Sequence, residues 1–409
     1  MVEKKFSFEK LQHFKKDILE YKGYNLYEVL SIELALLISG SEKLKFSTIG
    51  KFLLRYNYNN VALNKKIFFT IGRHGRKDYQ EIMDHVKTKF SDKENTFFDF
   101  NDASFQSNLS LKNIVGSLKN SFSISNLSWR DKLLIASKLC FYRNNIDHLE
   151  KIKLTGSLQK AVVFSSVHPW EVMFLYYFRK RNIPVYSLQH GVYFIYKKKP
   201  PIDCILYENF NVDFHLCWGK YSKIELVDYG IDKDKLIVAG YPRSIKMQAS
   251  KKTDPRKCIV LLAREVLKES NYRLIEVLKQ FIKKRPEMKF YFKLHPSLDE
   301  MEYKNLLKNK NFYLFKKKKT LIEIFTELKY SRAICVYTTA YYEAYINGII
   351  GLRYHDGTSE LSEGVQEDTF EDVTGLENVF ELGFSENEIK KRLEYIIGLN
   401  RDHYFEVLN

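Results

Sequence analysis

Residues 183–243 read IPVYSLQHGVYFIYKKKPPIDCILYENFNVDFHLCWGKYSKIELVDYGIDKDKLIVAGYPR, and this stretch decides the fold. It contains three short apolar runs, at 185–188, 214–218 and 235–238. Their β-branched and aromatic residues are typical of buried strands. Three such runs within one short stretch predict part of a sheet.

A glycine follows each of the three runs within a few residues. Glycine lets the backbone turn sharply or approach another group closely. In open α/β sheets, ligands bind at the edge formed by the carboxyl ends of the strands. We therefore expect Gly191, Gly219 and Gly240 to supply the backbone of a cleft, and His190 to lie in it.

The order of apolar runs along the chain predicts parallel sheets. A strand at 161–166, a helix that ends near Arg181 and a strand at 184–188 form a β-α-β unit, which implies parallel pairing. A further strand is predicted at 66–72. After residue 256 strands again alternate with helices, the predicted strands being 258–262, 290–294, 312–315, 333–337 and 349–354. We therefore expect the α/β class, with two Rossmann-like domains whose parallel sheets face a central cleft.

A polar, lysine-rich segment at 244–256 separates the two series of strands and is the predicted linker. We assign residues 1–245 to an N-terminal α/β domain and residues 256–385 to a C-terminal Rossmann-like domain. The helix predicted within 386–409 is expected to pack back on the N-terminal domain.

The early part of the chain shows a helical pattern. Apolar residues recur at helical spacing within 1–60, and again within 105–150 around a polar break at 121–128. This spacing predicts mainly helical structure in both segments.

Composition and charge narrow the functional class. The net charge of +16 favours an anionic partner, such as a phospholipid surface, a nucleic acid or a phosphate-bearing substrate. The basic residues are dispersed and match no nucleic-acid-binding module, so we do not expect a nucleic-acid partner. The five cysteines are scattered without a CxxC pair, which argues against a zinc or disulfide framework and suits a reducing compartment.

The sequence also predicts where the protein is found. Its first residues lack the apolar core of a signal peptide. The most apolar early run, at 29–39, is short and contains Glu33, so it is not expected to cross a bilayer. We expect a cytoplasmic protein whose membrane contact, where it occurs, is peripheral and on the inner face of the cell membrane.

Two groups of polar residues follow predicted strands in the second half. Lys293 and His295 stand at the end of the strand 290–294, and the proline after His295 favours an extended backbone. Thr338 and Thr339 join the next strand to a helix. Hydroxyls and free N–H groups at such a junction form an anion site, and Glu343, one turn into the helix, reaches the same cleft.

Other candidates lie in the N-terminal half. His168 and Glu171, at the start of a helix, are second-choice bases, although His168 is equally suited to simple helix initiation. Arg73 and Arg76, in a basic loop after the strand 66–72, are candidates for an anionic acceptor. The sequence contains neither GxGxxG nor GxxxxGK[ST], and no paired carboxylates at a strand end, so we expect neither a dinucleotide cofactor nor a metal ion.

The motifs at these strand ends resemble those of bacterial GT-B transferases of surface-polymer synthesis, including capsule glycosyltransferases and teichoic-acid glycerophosphotransferases. The resemblance covers residues 160–355. It is carried by Gln189-His190-Gly191, Trp218-Gly219, Gly240-Tyr241-Pro242, Lys293-Leu294-His295-Pro296, and Thr338-Thr339 with Glu343-Ala344.

The resemblance implies a nucleotide-activated donor on the C-terminal domain and a lipid-linked or polymeric glycan acceptor on the N-terminal one. His190 would be the catalytic base or a residue that organises the cleft. Lys293, His295, Thr338 and Thr339 would hold the donor phosphates, and Glu343 the ribose. A glutamate eight residues after Glu343, found in many retaining GT-B enzymes, is missing because Gly351 stands there. We therefore expect an inverting enzyme that needs no metal.

Three alternatives stay open at this point. A CDP-alditol phosphotransferase of teichoic-acid-like polymers shares the His-Gly and His-Pro elements. A UDP-sugar 2-epimerase shares the fold but usually shows an Asp-Ser-Gly-Gly type of stretch where this chain has Thr338-Thr339-Ala340-Tyr341. A basic nucleic-acid-binding protein is the non-enzymatic alternative. The sequence does not name the donor nucleotide, the sugar or the acceptor.

Overall fold

The computed structural model describes residues 7–40, 44–72, 77–191, 193, 202, 205–242, 254–327, 330–358, 367–400 and 403–408. Its strands are β1 Glu20–Tyr21, β2 Tyr24–Asn25, β3 Leu54–Tyr56, β4 Ile67–Ile71, β5 Asn95–Asp99, β6 Phe105–Ser107, β7 Lys160–Val163, β8 Val185–Leu188, β9 Phe214–Cys217, β10 Leu236–Val238, β11 Asp254–Leu261, β12 Lys289–Lys293, β13 Phe312–Leu314, β14 Tyr330–Val336, β15 Ile350–Tyr354 and β16 Thr369–Phe370. Its α-helices are α1 Phe8–Asp17, α2 Leu26–Ile38, α3 Phe46–Gly50, α4 Lys77–Lys87, α5 Leu111–Ser123, α6 Trp129–Leu149, α7 Pro169–Arg179, α8 Ile205–Glu208, α9 Lys220–Tyr229, α10 Lys268–Lys284, α11 Glu300–Leu306, α12 Leu321–Glu327, α13 Ala340–Ile346, α14 Val373–Phe380, α15 Glu386–Ile397 and α16 His403–Leu408.

Two six-stranded sheets form the framework, and every neighbouring pair in them is parallel. The first has the order β10-β9-β8-β7-β4-β5. The second has the order β13-β12-β11-β14-β15-β16, which is 3-2-1-4-5-6 when its strands are numbered along the chain, the order of Rossmann folds. The α/β prediction with two parallel sheets is confirmed.

In such sheets, chain order reverses at one point, and ligands bind in the crevice there, outside the carboxyl ends of the strands. In the first sheet this switch point lies between β4 and β7. In the second it lies between β11 and β14. Two crevices are therefore defined by topology alone.

The central strands are apolar because both faces of their sheets are covered. All five residues of β4 and all four of β8 are buried. In a parallel sheet with helices on each side, near-continuous apolar runs are the expected pattern. The predicted strand at 185–188 has the observed bounds for this reason.

The early chain is less helical than its spacing predicted. The segment 1–60 contains the hairpin β1–β2 as well as α1 and α2. Strand β3 pairs antiparallel with β6, so 105–107, predicted as the start of a helix, is extended. The break predicted at 121–128 is confirmed, since α5 ends at Ser123 and α6 begins at Trp129, capped by Ser128.

The second sheet begins earlier than predicted. Strand β11 starts at Asp254, inside the segment assigned to the linker; residues 243–253 lie outside the described part of the chain. Pro255 is tolerated because pairing with β12 starts only at Lys257, and the register with β14 shifts between Asp254 and Cys258. A proline at such a position breaks no regular ladder.

Helix α15 returns to the first sheet and packs on α9 and α13. A Cβ added to Gly219 would lie 2.5 Å from the Tyr395 carbonyl oxygen and 2.6 Å from the carbonyl carbon of Ile396. At the end of α15, the Gly398 carbonyl accepts a 2.9 Å hydrogen bond from the backbone N–H of Tyr241. The chain after residue 386 therefore closes against the ends of β9 and β10.

Aromatic rings add to this contact between the two domains. The ring of Trp218, after β9, lies 4.9 Å from that of Tyr241 and 5.5 Å from that of Tyr342 on α13. Tyr241 and Tyr342 are 5.4 Å apart, and all three side chains are buried. Edge-to-face pairs of this kind each contribute about 0.5–1.5 kcal/mol beyond the area they bury.

A buried carboxylate ties the same elements together. Asp368, fully buried before β16, lies 3.2 Å from Nε of Arg353 and 3.5 Å from a guanidinium nitrogen of Arg392 on α15. It also accepts a 3.0 Å hydrogen bond from the Tyr345 hydroxyl. Arg353 in turn donates to the Tyr221 hydroxyl on α9, at 3.4 Å. Removing one partner of a buried ion pair costs about 3–5 kcal/mol, so Arg353 and Asp368 are needed together, and Arg392 and Tyr221 link the pair to α15 and α9.

Gly219→Ala is expected to lower the free energy of unfolding by about 2–3 kcal/mol, because the new Cβ would overlap the α15 backbone. Denaturant unfolding measures the change. Gly156→Ala is the matched control, since nothing lies within 4 Å of a Cβ at that position. Equal stability of the two variants would show that α15 does not hold this position in solution.

Candidate active site between the two sheets

The turn after β8 is held by the side chain of Gln189, which is fully buried. Its Oε1 accepts from the Trp218 backbone N–H at 2.5 Å. Its Nε2 donates at 2.6 Å to both the Ser222 hydroxyl and the Gly191 carbonyl. One amide thus joins the turn after β8 to the start of α9, which fixes where the next residue, His190, points.

The imidazole of His190 lies between two aromatic rings. Its centroid is 5.2 Å from that of Tyr79 on α4 and 5.3 Å from that of Phe164, the residue after β7. The side chain is half-buried. Rings on two sides restrict the imidazole to a narrow range of orientations at the sheet edge.

A second histidine lies behind the first. His215, on β9 and buried, has Nδ1 2.8 Å from the Ser187 hydroxyl and Nε2 3.0 Å from the Tyr193 hydroxyl. Burial and the neighbouring His190 lower the pKa of His215 to about 3. The neutral ring supports the floor of the site without adding charge to it.

In the second domain, the switch point lies where β11 and β14 end. Leu261 on β11 pairs with Cys335 on β14. Arg264 and Thr338 each follow the paired residue by three positions, so they lie at the same edge of the sheet. Thr338 Oγ1 accepts from the Ala340 N–H at 3.3 Å, and Thr339 precedes α13. Thr338, Thr339 and Arg264 therefore follow the two strands that flank the crevice defined by the topology.

The backbone at this switch point is strained. Tyr337 has φ of +39°, a value that costs a non-glycine residue on the order of 1–2 kcal/mol. Its hydroxyl donates to Asp356 at 2.8 Å and accepts from the Asp356 N–H at 3.2 Å. Burial alone would raise the pKa of Asp356, but hydrogen bonds from Ser270, Thr358 and Tyr337 hold it well below its ordinary value. Strain held in place by an ionised partner is a common mark of a functional turn.

The two domains meet at these turns. A Cβ placed on Gly191 would lie 3.4 Å from Thr339 Cγ2. Gly191 follows His190 in the first domain, and Thr339 belongs to the switch point of the second. The predicted catalytic histidine and the predicted phosphate-binding threonines are thus brought to one place.

His295 lies to the side of that contact. It follows β12, two strands from β14, which corresponds to roughly 10 Å at the usual strand spacing. Its Nδ1 accepts from the Ser297 N–H at 3.2 Å, so a neutral ring carries its proton on Nε2. The Ser297 hydroxyl accepts from the Glu265 N–H at 3.0 Å, which ties this loop to the one that carries Arg264.

Lys293 faces away from the contact. Its Nζ donates at 2.7 Å to the carbonyl of Lys317, in the loop after β13. Strand β13 flanks β12 on the side opposite β11, so this bond holds the edge of the sheet. The structure therefore does not bring Lys293 to Thr338 or Thr339.

Helix α13 carries Glu343 in its first turn, and the side chain is half-buried. The preceding residue, Tyr342, packs on Trp218 in the first domain. Glu343 thus lies on the same short helix as the interdomain contact, one turn after Thr339.

The second-choice residues occupy the switch point of the first sheet. Glu171 is fully buried, and its Oε1 accepts from the Gly72 N–H at 2.9 Å. His168 is half-buried, caps α7 and stacks on Trp170 at 5.9 Å. The buried carboxylate fixes the end of β4, a structural task. Arg73 and Arg76 lie outside the described residues.

Two of the three glycines predicted to line the cleft pack instead against other backbone segments of the protein. Gly219 lies against the backbone of residues 395–396. Gly240, at φ +90°, donates to the Trp218 carbonyl at 2.9 Å, and a Cβ on Gly398 would lie 3.1 Å from its Cα. Their positions are accounted for by the return of α15, whereas Gly191 faces the second domain.

Three site residues were missed by sequence reasoning. Arg264 follows the predicted strand 258–262 as His295 follows the next, so the strand-end rule was sufficient to find it. His215, inside a buried strand, and Tyr79, on a separate helix, give no such signal. These two residues can be assigned to the candidate site only when the pairing of the strands is known.

Two searches cover only the described part of the chain. There, no three His, Cys, Asp or Glu side chains are grouped as a metal site requires. In the same residues, every helix is either too short or too polar to cross a bilayer. The expectation of a metal-independent enzyme stays a prediction.

Solved structures share the architecture. The UDP-GlcNAc 2-epimerase of Methanocaldococcus jannaschii, in complex with UDP-GlcNAc and UDP, matches with a TM-score of 0.51 at 13% identity, over 84% of this chain and 98% of that one. The apo form of the lipopolysaccharide outer core galactosyltransferase WaaB matches with a TM-score of 0.50 at 14% identity, also over 84% and 98%. No family model and no curated protein sequence matches the chain. At these identities the likeness establishes the fold alone: the protein has the two-domain, GT-B-like fold.

His215 gives the site a test based on pH. Its pKa is lower in the folded state than the value of about 6.5 in an unfolded chain, so the unfolded state binds more protons below that pH. Stability is therefore lost as pH falls from about 6.5 toward 3. Between pH 7 and pH 5 the wild type is expected to lose about 2 kcal/mol more than His215→Gln, as measured by denaturant unfolding at each pH. Parallel curves for the two proteins would contradict burial of a neutral imidazole.

Proposed function

We propose that the protein is a metal-independent, inverting glycosyltransferase that uses a nucleotide-activated sugar to build a bacterial surface polysaccharide such as capsule, exopolysaccharide or lipopolysaccharide. The observation that carries the proposal is the approach of Gly191 to Thr339. Gly191 follows His190 directly, and Thr339 lies at the switch point of a sheet with Rossmann strand order, so this approach supports a base on one side of the cleft and an anion site on the other. A base and an anion site on facing domains suit transfer between two bound substrates.

The donor phosphates are assigned to the second domain. Arg264 supplies a permanent positive charge, and the hydroxyls of Thr338 and Thr339 supply donors beside it. His295 Nε2–H donates to a phosphate oxygen from the neighbouring loop. Glu343 accepts from a ribose hydroxyl. This group offsets the charge that develops on the leaving nucleotide, a task that otherwise falls to a metal ion.

Lys293 is assigned an indirect role. Because its Nζ is bonded to the Lys317 carbonyl, it holds the loop after β13 against β12. The proposal therefore moves the cationic contact with the phosphates from Lys293 to Arg264.

His190 is proposed as the general base. As the acceptor oxygen bonds to the anomeric carbon, His190 takes the proton of that hydroxyl, and the bond from the anomeric carbon to the phosphate oxygen breaks on the opposite face. One direct displacement inverts the anomeric configuration. Histidine suits this step because it titrates near neutral pH. His215 and Gln189 act by positioning the ring.

The acceptor is proposed to bind the first domain. A lipid-linked or polymeric glycan would enter at the switch point between β4 and β7, beside His168, and Arg73 and Arg76, which follow β4 in the sequence, stay candidates for its anionic groups. The protein would work in the cytoplasm, at the inner face of the cell membrane, with an anionic lipid surface as partner and no nucleic acid. The charge of +16 supports that placement.

Two other reactions fit parts of the same geometry. A CDP-alditol phosphotransferase would use the same base and anion site but form a phosphodiester. A UDP-sugar 2-epimerase is favoured by the likeness to the M. jannaschii enzyme, whose structure holds UDP-GlcNAc and UDP. An epimerase consumes its nucleotide sugar with no acceptor present, whereas a transferase releases nucleotide in proportion to acceptor. This difference separates the epimerase from both transferases, and the bond in the product, glycosidic or phosphodiester, separates the two transferases from each other.

The experiment that tests the proposal has two steps. A thermal-shift screen against CMP, CDP, UDP, GDP and dTDP identifies the nucleotide, because a ligand of the folded state raises the melting temperature. The matching nucleotide sugar is then incubated with and without glycan acceptors, and products are analysed by mass spectrometry. Turnover without acceptor to a 2-epimer would overturn the transferase proposal.

His190→Ala is expected to lower kcat/KM for transfer by about 10²–10⁴-fold with little change in melting temperature, since a general base is lost while the fold is kept. The nucleotide-induced thermal shift should persist. The control is His403→Ala, which removes a histidine that is 38% exposed and paired with Glu406. Wild-type turnover by His190→Ala would place the base elsewhere.

Arg264→Ala is expected to raise the Kd of the nucleotide diphosphate about 10-fold or more, because a charge-assisted contact to phosphate is lost. Isothermal titration calorimetry gives the change directly. Arg285→Ala, which breaks an exposed ion pair with Glu381 beyond the end of α10, is the matched control. Equal affinities of the two variants would remove Arg264 from the donor site.

A further inference from the structure

Exposed apolar side chains are concentrated on one part of the first domain. Of the thirteen large apolar side chains that are exposed among the described residues, nine fall between Phe46 and Trp129. We call this set the apolar surface. Its members are Phe46, Ile49, Leu53, Phe105, Leu109, Leu111, Val115, Phe122 and Trp129.

Helix α5 shows how the surface is built. Leu111, Val115 and Phe122 are spaced by four and seven residues, so they form one stripe along the helix, and they are 71%, 64% and 50% exposed. Ile114 and Leu118, at one edge of this stripe, are half-buried and pack against the buried cluster that includes Ala136 and Cys140 on α6. The apolar stripe of α5 is thus covered along one edge and exposed along the rest.

The other members lie beside this stripe. The buried cluster against which α5 packs also contains Phe52, in the turn after α3. Phe46, the first residue of α3, is 93% exposed. The Asn108 N–H donates to the Leu53 carbonyl at 2.7 Å, which joins this turn to the segment leading into α5. The exposed side chains therefore belong to elements that contact one another.

The charge of these segments has one sign. Neither 44–56 nor 103–130 contains an aspartate or glutamate. Exposed basic residues are interspersed, namely Lys45, Lys112, Lys119 and Arg130. The nearest acidic residues along the chain from 103–130 are Asp102 and Asp131, at its two ends. An apolar surface with interspersed lysines and an arginine complements an anionic layer with an apolar interior.

The surface is continuous with the proposed acceptor side. Phe105 stacks on Tyr56 at 5.0 Å, and the Tyr56 hydroxyl accepts a 2.6 Å hydrogen bond from Trp170 Nε1. Trp170 lies at the end of β4, where a Cβ on Gly72 would be 2.8 Å from its ring. A chain of three contacts thus leads from the exposed face to the switch point of the first sheet.

We propose that the apolar surface docks the protein on an anionic lipid bilayer, with Phe46, Leu111, Val115 and Trp129 entering the headgroup region and the lysines contacting lipid phosphates. The inference rests on the proposed function for its purpose, the presentation of a lipid-linked acceptor to His190. A second copy of the chain suits the surface less well, because a two-fold contact would oppose two sets of basic residues.

The test uses the full chain and extruded vesicles of phosphatidylglycerol and phosphatidylethanolamine, with phosphatidylcholine vesicles as the neutral control. Trp129 is 62% exposed, whereas Trp218 is buried, so vesicle binding should shift the tryptophan emission to the blue. Flotation should show partition into anionic vesicles that falls at high salt. Phe46→Ser/Leu111→Ser should weaken that partition at least tenfold, and Lys112→Gln/Lys119→Gln should weaken it severalfold.

Leu19→Ser/Met301→Ser is the matched control, because these side chains are 59% and 64% exposed but lie outside the surface. All variants should melt like the wild type. Absence of binding to anionic vesicles at low salt, or equal partition of Phe46→Ser/Leu111→Ser and wild type, would overturn the proposal. The proposal would also be overturned if the wild type formed a dimer that bound no vesicles and that Phe46→Ser/Leu111→Ser converted to monomer. The surface would then be covered by a second copy of the chain. A chain that binds vesicles through this surface but shows no thermal shift with any nucleotide keeps the docking proposal and fails the transferase one.

Discussion

The close approach of α15 to Gly219 is the constraint on which the candidate site depends. Backbone atoms of residues 395–396 occupy the space that any side chain at 219 would need. Because α15 also packs on α13, it fixes the second domain against the ends of β9 and β10. The same arrangement holds the contact between Gly191 and Thr339. Packing far from the proposed chemistry therefore sets its geometry.

The two domains differ in what they bring to the cleft. The first contributes the half-buried imidazole of His190 at the turn, a second, buried histidine whose pKa is about 3, and a buried amide. The second contributes hydroxyls at a strained turn, with Arg264 three residues beyond the end of β11. A base facing an anion site suits the proposed transfer from a nucleotide diphosphate, because charge accumulates on the leaving group rather than on the acceptor.

The sequence was sufficient for the fold class and for the central strands of both sheets. Strand β8 was predicted with its observed bounds because a strand buried on both faces is apolar at every position. The hairpin β1–β2, strands β3 and β6 and the edge strand β16 were missed, since two or three residues carry no periodicity and pair through tertiary contacts. The five-residue edge strand β5 was also missed; only two of its residues are buried. His215 lies inside a predicted strand, where a histidine carries no signal of its own, whereas His190 and Thr339 follow strand ends marked by glycine and hydroxyls. Their roles, and that of Lys293, stay predictions.

The return of α15 has a consequence for how the protein is made. Trp218 and Tyr241 are buried partly by residues that the ribosome adds long after β10 has emerged. The rings of Trp218 and Tyr241 therefore stay exposed while the ribosome synthesises the second domain. Apolar surface of this kind, exposed during translation, is where chaperones bind and where aggregation begins. For this chain, completion of the first domain is an event of late synthesis, and the vulnerable period spans the whole production of the second.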